Sequence, residues 1–267
     1  MRTRQLLAAA AAALAATSAR ADCTLIADAA DGRVMREEGA CGTRITPAST
    51  FKIAIALMGY DAGFLTSEHA PVQHWRRGDV LWNPAWRADT DPSRWIRDSV
   101  VWYSQRVTAA LGPARFARYA ADFHYGNADV SGDATLHDGL RFAWIDSSLR
   151  ISPREQLAFL RRVARCDLPV SAKACEMTAR ITAIPGVGDG WAMHAKTGAG
   201  FPVGADGRTD HSHGYGWFVG WASKGPRTFV FVRQTQDAVP HDTPAGLRAR
   251  DAFLPSLPAT LDAIAAG

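Results

Sequence analysis

Two short runs in the chain carry residue types able to do chemistry together. Ser49-Thr50-Phe51-Lys52 places a hydroxyl and an amine three positions apart. On a helix that spacing sets both side chains on one face, one turn apart and within hydrogen-bonding reach. A serine hydroxyl becomes a useful nucleophile only when a neighbouring base takes its proton. Lysine can be that base if burial disfavours the ammonium, and Phe51, Ile53, Ile55 and Ala56 are apolar enough to bury it. A helix start would also aim free N–H groups at the point where an oxyanion develops. Lys196-Thr197-Gly198 supplies a second cation and hydroxyl, beside a glycine that lets a ligand approach the backbone closely. A charged lysine there could hold a carboxylate.

Several elements must hold these groups in place. A β-hairpin is expected over residues 23–40, with Thr24 to Ala27 and Arg33 to Arg36 as strands around an Asp31-Gly32 turn. Pro47 introduces a strongly apolar helical pattern from Ala48 to about Tyr60, which puts Ser49 at its start. Residues 61–95, rich in Trp, Pro, Asp and Gly, read as short helices and loops. A second helix is expected to begin near Ser99 and run through Val107 and Leu111 to Gly112. A third begins at Ser152-Pro153-Arg154-Glu155, where Ser caps, Pro fills the first turn and Glu completes a capping box. From Trp191 onward the pattern turns to strands: Trp191–Lys196, Gly214–Ala222 and Thr228–Gln234, the last two joined by Ser223-Lys224-Gly225-Pro226. Lys196-Thr197-Gly198 therefore lies where the first of them ends. Pro244 to Ala265 returns to helical composition. Strands at both ends and helices between indicate an α+β protein, with an antiparallel sheet assembled from both termini and a helical insertion.

Composition narrows the function classes. Of 267 residues, 47% are hydrophobic and 21% charged, which is ample for a core and excludes disorder as the main state. Residues 1–21 read as a secretory signal: Arg2 and Arg4, an apolar stretch from Leu6 to Ala16, then Ala19-Arg20-Ala21 before cleavage ahead of Asp22. Beyond them no 18-residue apolar run offers a membrane span. Removal of three arginines with that segment leaves 27 basic against 26 acidic residues, no footprint for nucleic acid or anionic lipid. A soluble product exported to the periplasm is expected. Disulfides persist there, and Cys23, Cys41, Cys166 and Cys175 allow three pairings, of which the local one is the simplest.

In this order the two chemical runs resemble the penicillin-recognising serine enzymes, in which Ser-x-x-Lys precedes Lys-Thr-Gly. Between them stands Ser99-Val100-Val101. Class A enzymes and most transpeptidases carry Ser-x-Asn there, whereas Ser-x-Val is the form of the class D, oxacillinase-type β-lactamases. Tyr125-Gly126-Asn127, the run from Trp144 to Ser152, and Gly216 to Trp221 match further, in order, so the resemblance covers nearly the whole mature chain. It implies an antiparallel β-sheet flanked by N- and C-terminal helices with a helical domain inserted. Residues 22–47 and 191–267 would form the sheet domain and 48–190 the helical one, with the active site at their interface.

The resemblance also implies roles. Ser49 attacks a β-lactam carbonyl and forms an acyl-enzyme. Lys52, carboxylated by CO2, is the general base, with Trp144 donating to the carbamate and Val101 keeping its pocket dry. Ser99 relays a proton to the departing nitrogen. Lys196, Thr197 and Gly198 line the carboxylate site, and the N–H groups of Ser49 and Ala199 form the oxyanion hole. A family arginine near the start of the last helical segment is matched by Arg250 in Arg250-Asp251-Ala252-Phe253, with Arg248 the alternative. No metal and no organic cofactor are implied. The expected partner is a small-molecule β-lactam, with no nucleic acid, no membrane after signal cleavage, and a monomer or homodimer. The rival readings are a cell-wall transpeptidase or carboxypeptidase, and a β-lactam sensor domain that acylates without turnover.

Other conspicuous residues receive structural readings. Trp75, Trp82, Trp86 and Trp95 are expected mainly to pack. His211, His213 and Asp210 lack further ligands at zinc spacing and read as a polar turn. Asp146 reads as a helix-end carboxylate, and Arg161, Arg162 and Arg165 as the wet face of the third helix.

Overall fold

The structure, a computed structural model, describes residues 22–204 and 207–267. The expected secretory signal, residues 1–21, lies outside the described residues. Six antiparallel strands form one sheet in the order β2-β1-β6-β5-β4-β3. In chain order they are β1 (Cys23–Asp28), β2 (Val34–Gly39), β3 (Ala183–Ile184), β4 (Ala192–Gly200), β5 (Tyr215–Lys224) and β6 (Arg227–Gln236). The first strand thus lies beside the last, joining the two chain ends in one sheet. Helices α1 (Lys52–Asp61), α2 (Pro92–Arg97), α3 (Val101–Leu111), α4 (Pro113–Asp122), α5 (Gly139–Phe142), α6 (Pro153–Ala164) and α7 (Ala172–Thr182) come between β2 and β3. Helices α8 (Ala245–Phe253) and α9 (Leu257–Ala266) close the chain.

The period-2 alternation of the strands separates two cores. Leu25, Ala27, Val219, Val230 and Val232 face the helical side, while Ile26, Phe218, Phe229 and Phe231 meet Phe253, Leu257 and Leu261 of α8 and α9. Both sheet faces are covered, which is why β5 and β6 read as nearly continuous apolar runs. The expected capping box at α6 is present: Glu155 N–H donates to Ser152 Oγ at 3.3 Å and Ser152 N–H to Glu155 Oε2 at 2.9 Å.

The structure corrects four expectations. The strand predicted to end at Lys196 runs on to Gly200, because Lys196 to Gly200 stay paired with Tyr215 to Val219 of β5. Ser99 does not open α3; it precedes the helix with φ +58°, and helical geometry starts at Val101. Asp146 lies outside any helix, with φ +50°. Arg161 and Arg165 are more than a wet face, although Arg165 is exposed. Arg161 donates to the carbonyls of Ala29 and Ala30 at 2.9 and 2.8 Å, Arg165 also donates to Ala30, and together they clamp the β1–β2 turn onto α6.

Two disulfides, Cys23–Cys41 and Cys166–Cys175, realise the local pairing. The first closes the terminal hairpin over 18 residues, a loop whose cross-linking stabilises by about 3 kcal/mol. Cys23→Ser with Cys41→Ser should accordingly lower the urea midpoint and steepen the transition, because the unfolded chain without the bridge is less compact and exposes more surface. Coincident unfolding curves for this variant and the parent chain would show that the bridge contributes nothing.

Candidate active site

The site begins at a short 3-10 turn, Ala48–Phe51, that leads directly into α1. Helix α1 is buried from Lys52 to Tyr60, and α3 and α7 pack along it. This burial traps the Lys52 side chain, fully inaccessible to solvent, with Nζ 2.9 Å from Ser49 Oγ. Ser49 itself is partly exposed. Burial, reinforced by the nearby charge of Lys196, holds the Lys52 ammonium well below the usual lysine range. A neutral amine beside a reachable hydroxyl is what base-assisted attack by serine requires.

The strand that carries Lys196-Thr197-Gly198 is pressed against this turn. A Cβ at Gly198 would stand 2.8 Å from the Pro47 carbonyl oxygen and 3.0 Å from Thr50 Cγ2, so only glycine permits the approach. On the other side, α8 begins with backbone against backbone: a Cβ at Gly246 would meet the Gly198 carbonyl at 2.2 Å. Among the described residues β3 pairs with β4 only at Met193 and His194. The outer edge of β4 from Lys196 to Gly200 therefore pairs with no strand and is open to a ligand's hydrogen bonds. Lys196 is buried, with Nζ donating to the Thr197 carbonyl at 3.0 Å and to Thr197 Oγ1 at 3.3 Å. Burial and the charge of Arg250 lower its pKa to about 7.

Of the two candidate arginines, Arg250 shares a cavity of about 480 Å³ with Lys196, Thr197, Ile96 and Phe218. Arg248 instead binds Asp237 and the Thr243 carbonyl. Ala199 is exposed at the strand edge. Ser99 and Val101 sit at the start of α3, with Val101 in the same buried cluster as Phe51 and Trp144.

Trp144 is fully buried, its ring 5.9 Å from that of Phe51, the residue preceding Lys52. Its indole N–H is buried without a hydrogen-bond partner among the described residues. Such orphaned donors are rare, since an unmade bond in a dry site costs about 1–3 kcal/mol. The loop bearing Trp144 is held from outside by Asn127, whose side chain donates to the Ser148 carbonyl at 2.8 Å and accepts from Arg150 N–H at 2.9 Å. Tyr125, two residues earlier, packs its ring 4.7 Å from Phe51. The Tyr125-Gly126-Asn127 run is thus a brace between the turn bearing Ser49 and the Trp144 loop, a role its residue types alone did not disclose.

His213 pairs with Asp210 at 2.7 Å, and no group of three metal-ligating side chains forms among the described residues. Trp95 and Trp86 are buried and Trp75 half-buried, whereas Trp82 is 61% exposed and stacks on Phe142. No helix of the described residues is long and apolar enough to cross a membrane.

Residues 2–257 match the penicillin binding protein transpeptidase domain family. Over 240 residues the chain is 42% identical to the β-lactamase OXA-9 of Klebsiella pneumoniae, spanning 88% of this chain and 86% of that one. It is 37% identical over 216 residues to the β-lactamase OXA-1 of Escherichia coli, spanning 79% and 74%. Among solved structures, the fold matches that of the class D β-lactamase OXA-427 with a TM-score of 0.86 and 46% identity, over 91% of this chain and 99% of that one.

Proposed function

The chain belongs to the class D serine β-lactamases, and from that membership we propose an exported enzyme that hydrolyses penicillins through a Ser49 acyl-enzyme, with Lys52 carboxylated by CO2. One observation carries the finer reading: a fully buried lysine, driven toward its neutral form, directly follows Phe51, whose ring lies 5.9 Å from that of Trp144, and the Trp144 indole N–H has no partner among the described residues. A neutral amine is the form that captures CO2, and an anionic carbamate needs a donor such as the Trp144 N–H. Carboxylation would supply an anionic oxygen base beside Ser49, for both acylation and ester hydrolysis.

The chain's own residues do the rest. Ser49 Oγ attacks the lactam carbonyl, and the N–H groups of Ser49 and Ala199 hold the oxyanion. Ser99 delivers a proton to the ring nitrogen as it departs. Lys196, Thr197 and Arg250 anchor the substrate carboxylate, the bare backbone at Gly198 lets the strand lie close to the nucleophile, and Val101 keeps water from Lys52. We read residues 22–47 and 191–267 as one domain and 48–190 as the other, the cleft lying between. Export to the periplasm rests on the N-terminal segment and is consistent with two disulfides.

The test is turnover of a penicillin in degassed buffer with and without bicarbonate. Rates should rise with bicarbonate, and Trp144→Phe should require more of it to saturate. Equal rates in both buffers would overturn the carbamate, and a single stoichiometric labelling of Ser49 would favour the sensor or transpeptidase reading.

A pH dependence also follows. Below its pKa of about 7 Lys196 is cationic, and it loses that charge as pH rises. The ratio kcat/KM for an anionic lactam should therefore fall on the alkaline side. Arg250→Ala removes a like charge that disfavours the Lys196 ammonium, so this limb should move to higher pH while KM increases. A limb that stays in place in the variant would detach Arg250 from Lys196.

A further inference from the structure

Outside the reacting groups, three segments of the site converge on one phenol. Tyr215, at the start of β5, is 2% exposed. Its hydroxyl is hydrogen-bonded to Thr46 Oγ1, three residues before Ser49, and lies 3.4 Å from Asp146 Oδ1, two residues after Trp144. The carboxylate of Asp146 also accepts a backbone hydrogen bond from Phe201. Gly200, next to Ala199, makes room for the junction: a Cβ there would lie 2.2 Å from the Tyr215 hydroxyl and 3.2 Å from Asp146 Oδ1. Thr46 is fixed from behind as well, its carbonyl accepting from the Trp217 indole at 3.1 Å. The nucleophile turn, the Trp144 loop and the strand edge at Ala199 are therefore tied at one buried point.

Asp146 reaches this junction from a left-handed backbone conformation, φ +50°. Non-glycine residues seldom adopt that region, though aspartate does so more readily than most. The residue is thus held in place by its surroundings, and its carboxyl, largely buried, is pushed up by desolvation.

We propose that Asp146, acting through the Tyr215 hydroxyl, is a positioning residue that fixes Trp144 relative to Ser49 and Ala199. It touches no reacting atom. The proposal rests on the roles given above to Ser49 and Trp144, and it adds the link that keeps them in register. A small loss of register at such a site costs rate far more than affinity, because attack depends on aligned atoms.

The experiment compares Asp146→Ala, Asp146→Asn and Tyr215→Phe with the parent enzyme by steady-state penicillin hydrolysis across a bicarbonate series. Asp146→Ala should lower kcat by about tenfold or more with KM changed little, and should raise the half-saturating bicarbonate concentration. Asp146→Asn keeps an acceptor oxygen at the same position and should recover most of the lost kcat. Tyr215→Phe, which retains the buried ring, should reproduce the Asp146→Ala defect in kcat. Parental kcat in Asp146→Ala, a loss carried by KM, or an Asn variant no better than Ala would each overturn the proposal. A parent enzyme indifferent to bicarbonate would instead refute the carbamate on Lys52. The kcat comparison between Ala and Asn would still decide the role of Asp146.

Discussion

Ser49→Ala should abolish measurable penicillin turnover, lowering kcat by at least about 10⁴-fold, since losing the nucleophile of a serine hydrolase leaves only binding and oxyanion stabilisation. The fold should survive, because the Ser49 side chain is partly exposed and the hydrogen bond with Lys52 is the contact it surrenders. Mass spectrometry after incubation with a penicillin should show no adduct on the variant and a transient one on the parent. A variant that still forms the adduct would place the nucleophile elsewhere.

Lys52→Ala should cost about 10³-fold or more in kcat/KM, the share expected of a general base. Its second signature lies in stability. In the folded chain the Lys52 amine is driven toward neutrality, while in the unfolded chain it keeps an ordinary lysine pKa. The unfolded state therefore binds more protons below the unfolded pKa, so the parent should gain stability as pH rises toward that value. Measured in degassed buffer, this gain should shrink in Lys52→Ala, and the variant should be no less stable than the parent near neutral pH. Near-normal turnover in the variant would show that the base lies elsewhere. An unaltered pH dependence of melting would show that Lys52 is not the buried neutral group.

The legible parts of the sequence were those fixed by local chemistry. The Ser152-to-Glu155 capping box, the terminal hairpin and the i, i+3 placement of Ser49 and Lys52 all depend on neighbours in the chain, and the structure has them. Less legible features depend on distant partners. Lys196-Thr197-Gly198 looks like a strand end because of its polar and glycine residues, yet pairing with β5 carries the strand past it. Ser99 stands in a left-handed conformation that no local pattern announces. Gly112 was read rightly as a helix stop, but Pro113 beside it starts α4 at once, a signal that proline at a first helical position could have supplied. Helix α7 also went unread, although Ser171 caps it by accepting from Ala174 N–H. The junction of Asp146 with Tyr215 joins residues 69 positions apart and has no sequence signature of its own.

The bare-backbone contacts around β4 bear on where this site can change by substitution. Gly198 faces Pro47 and Thr50, Gly246 abuts Gly198, and Gly216 abuts Ala245, each too closely for even a methyl group. These three glycines are closed to substitution, because any side chain there would wedge apart the layers that align the site. Variation that reshapes the strand edge should instead enter at Ala199, whose side chain is exposed.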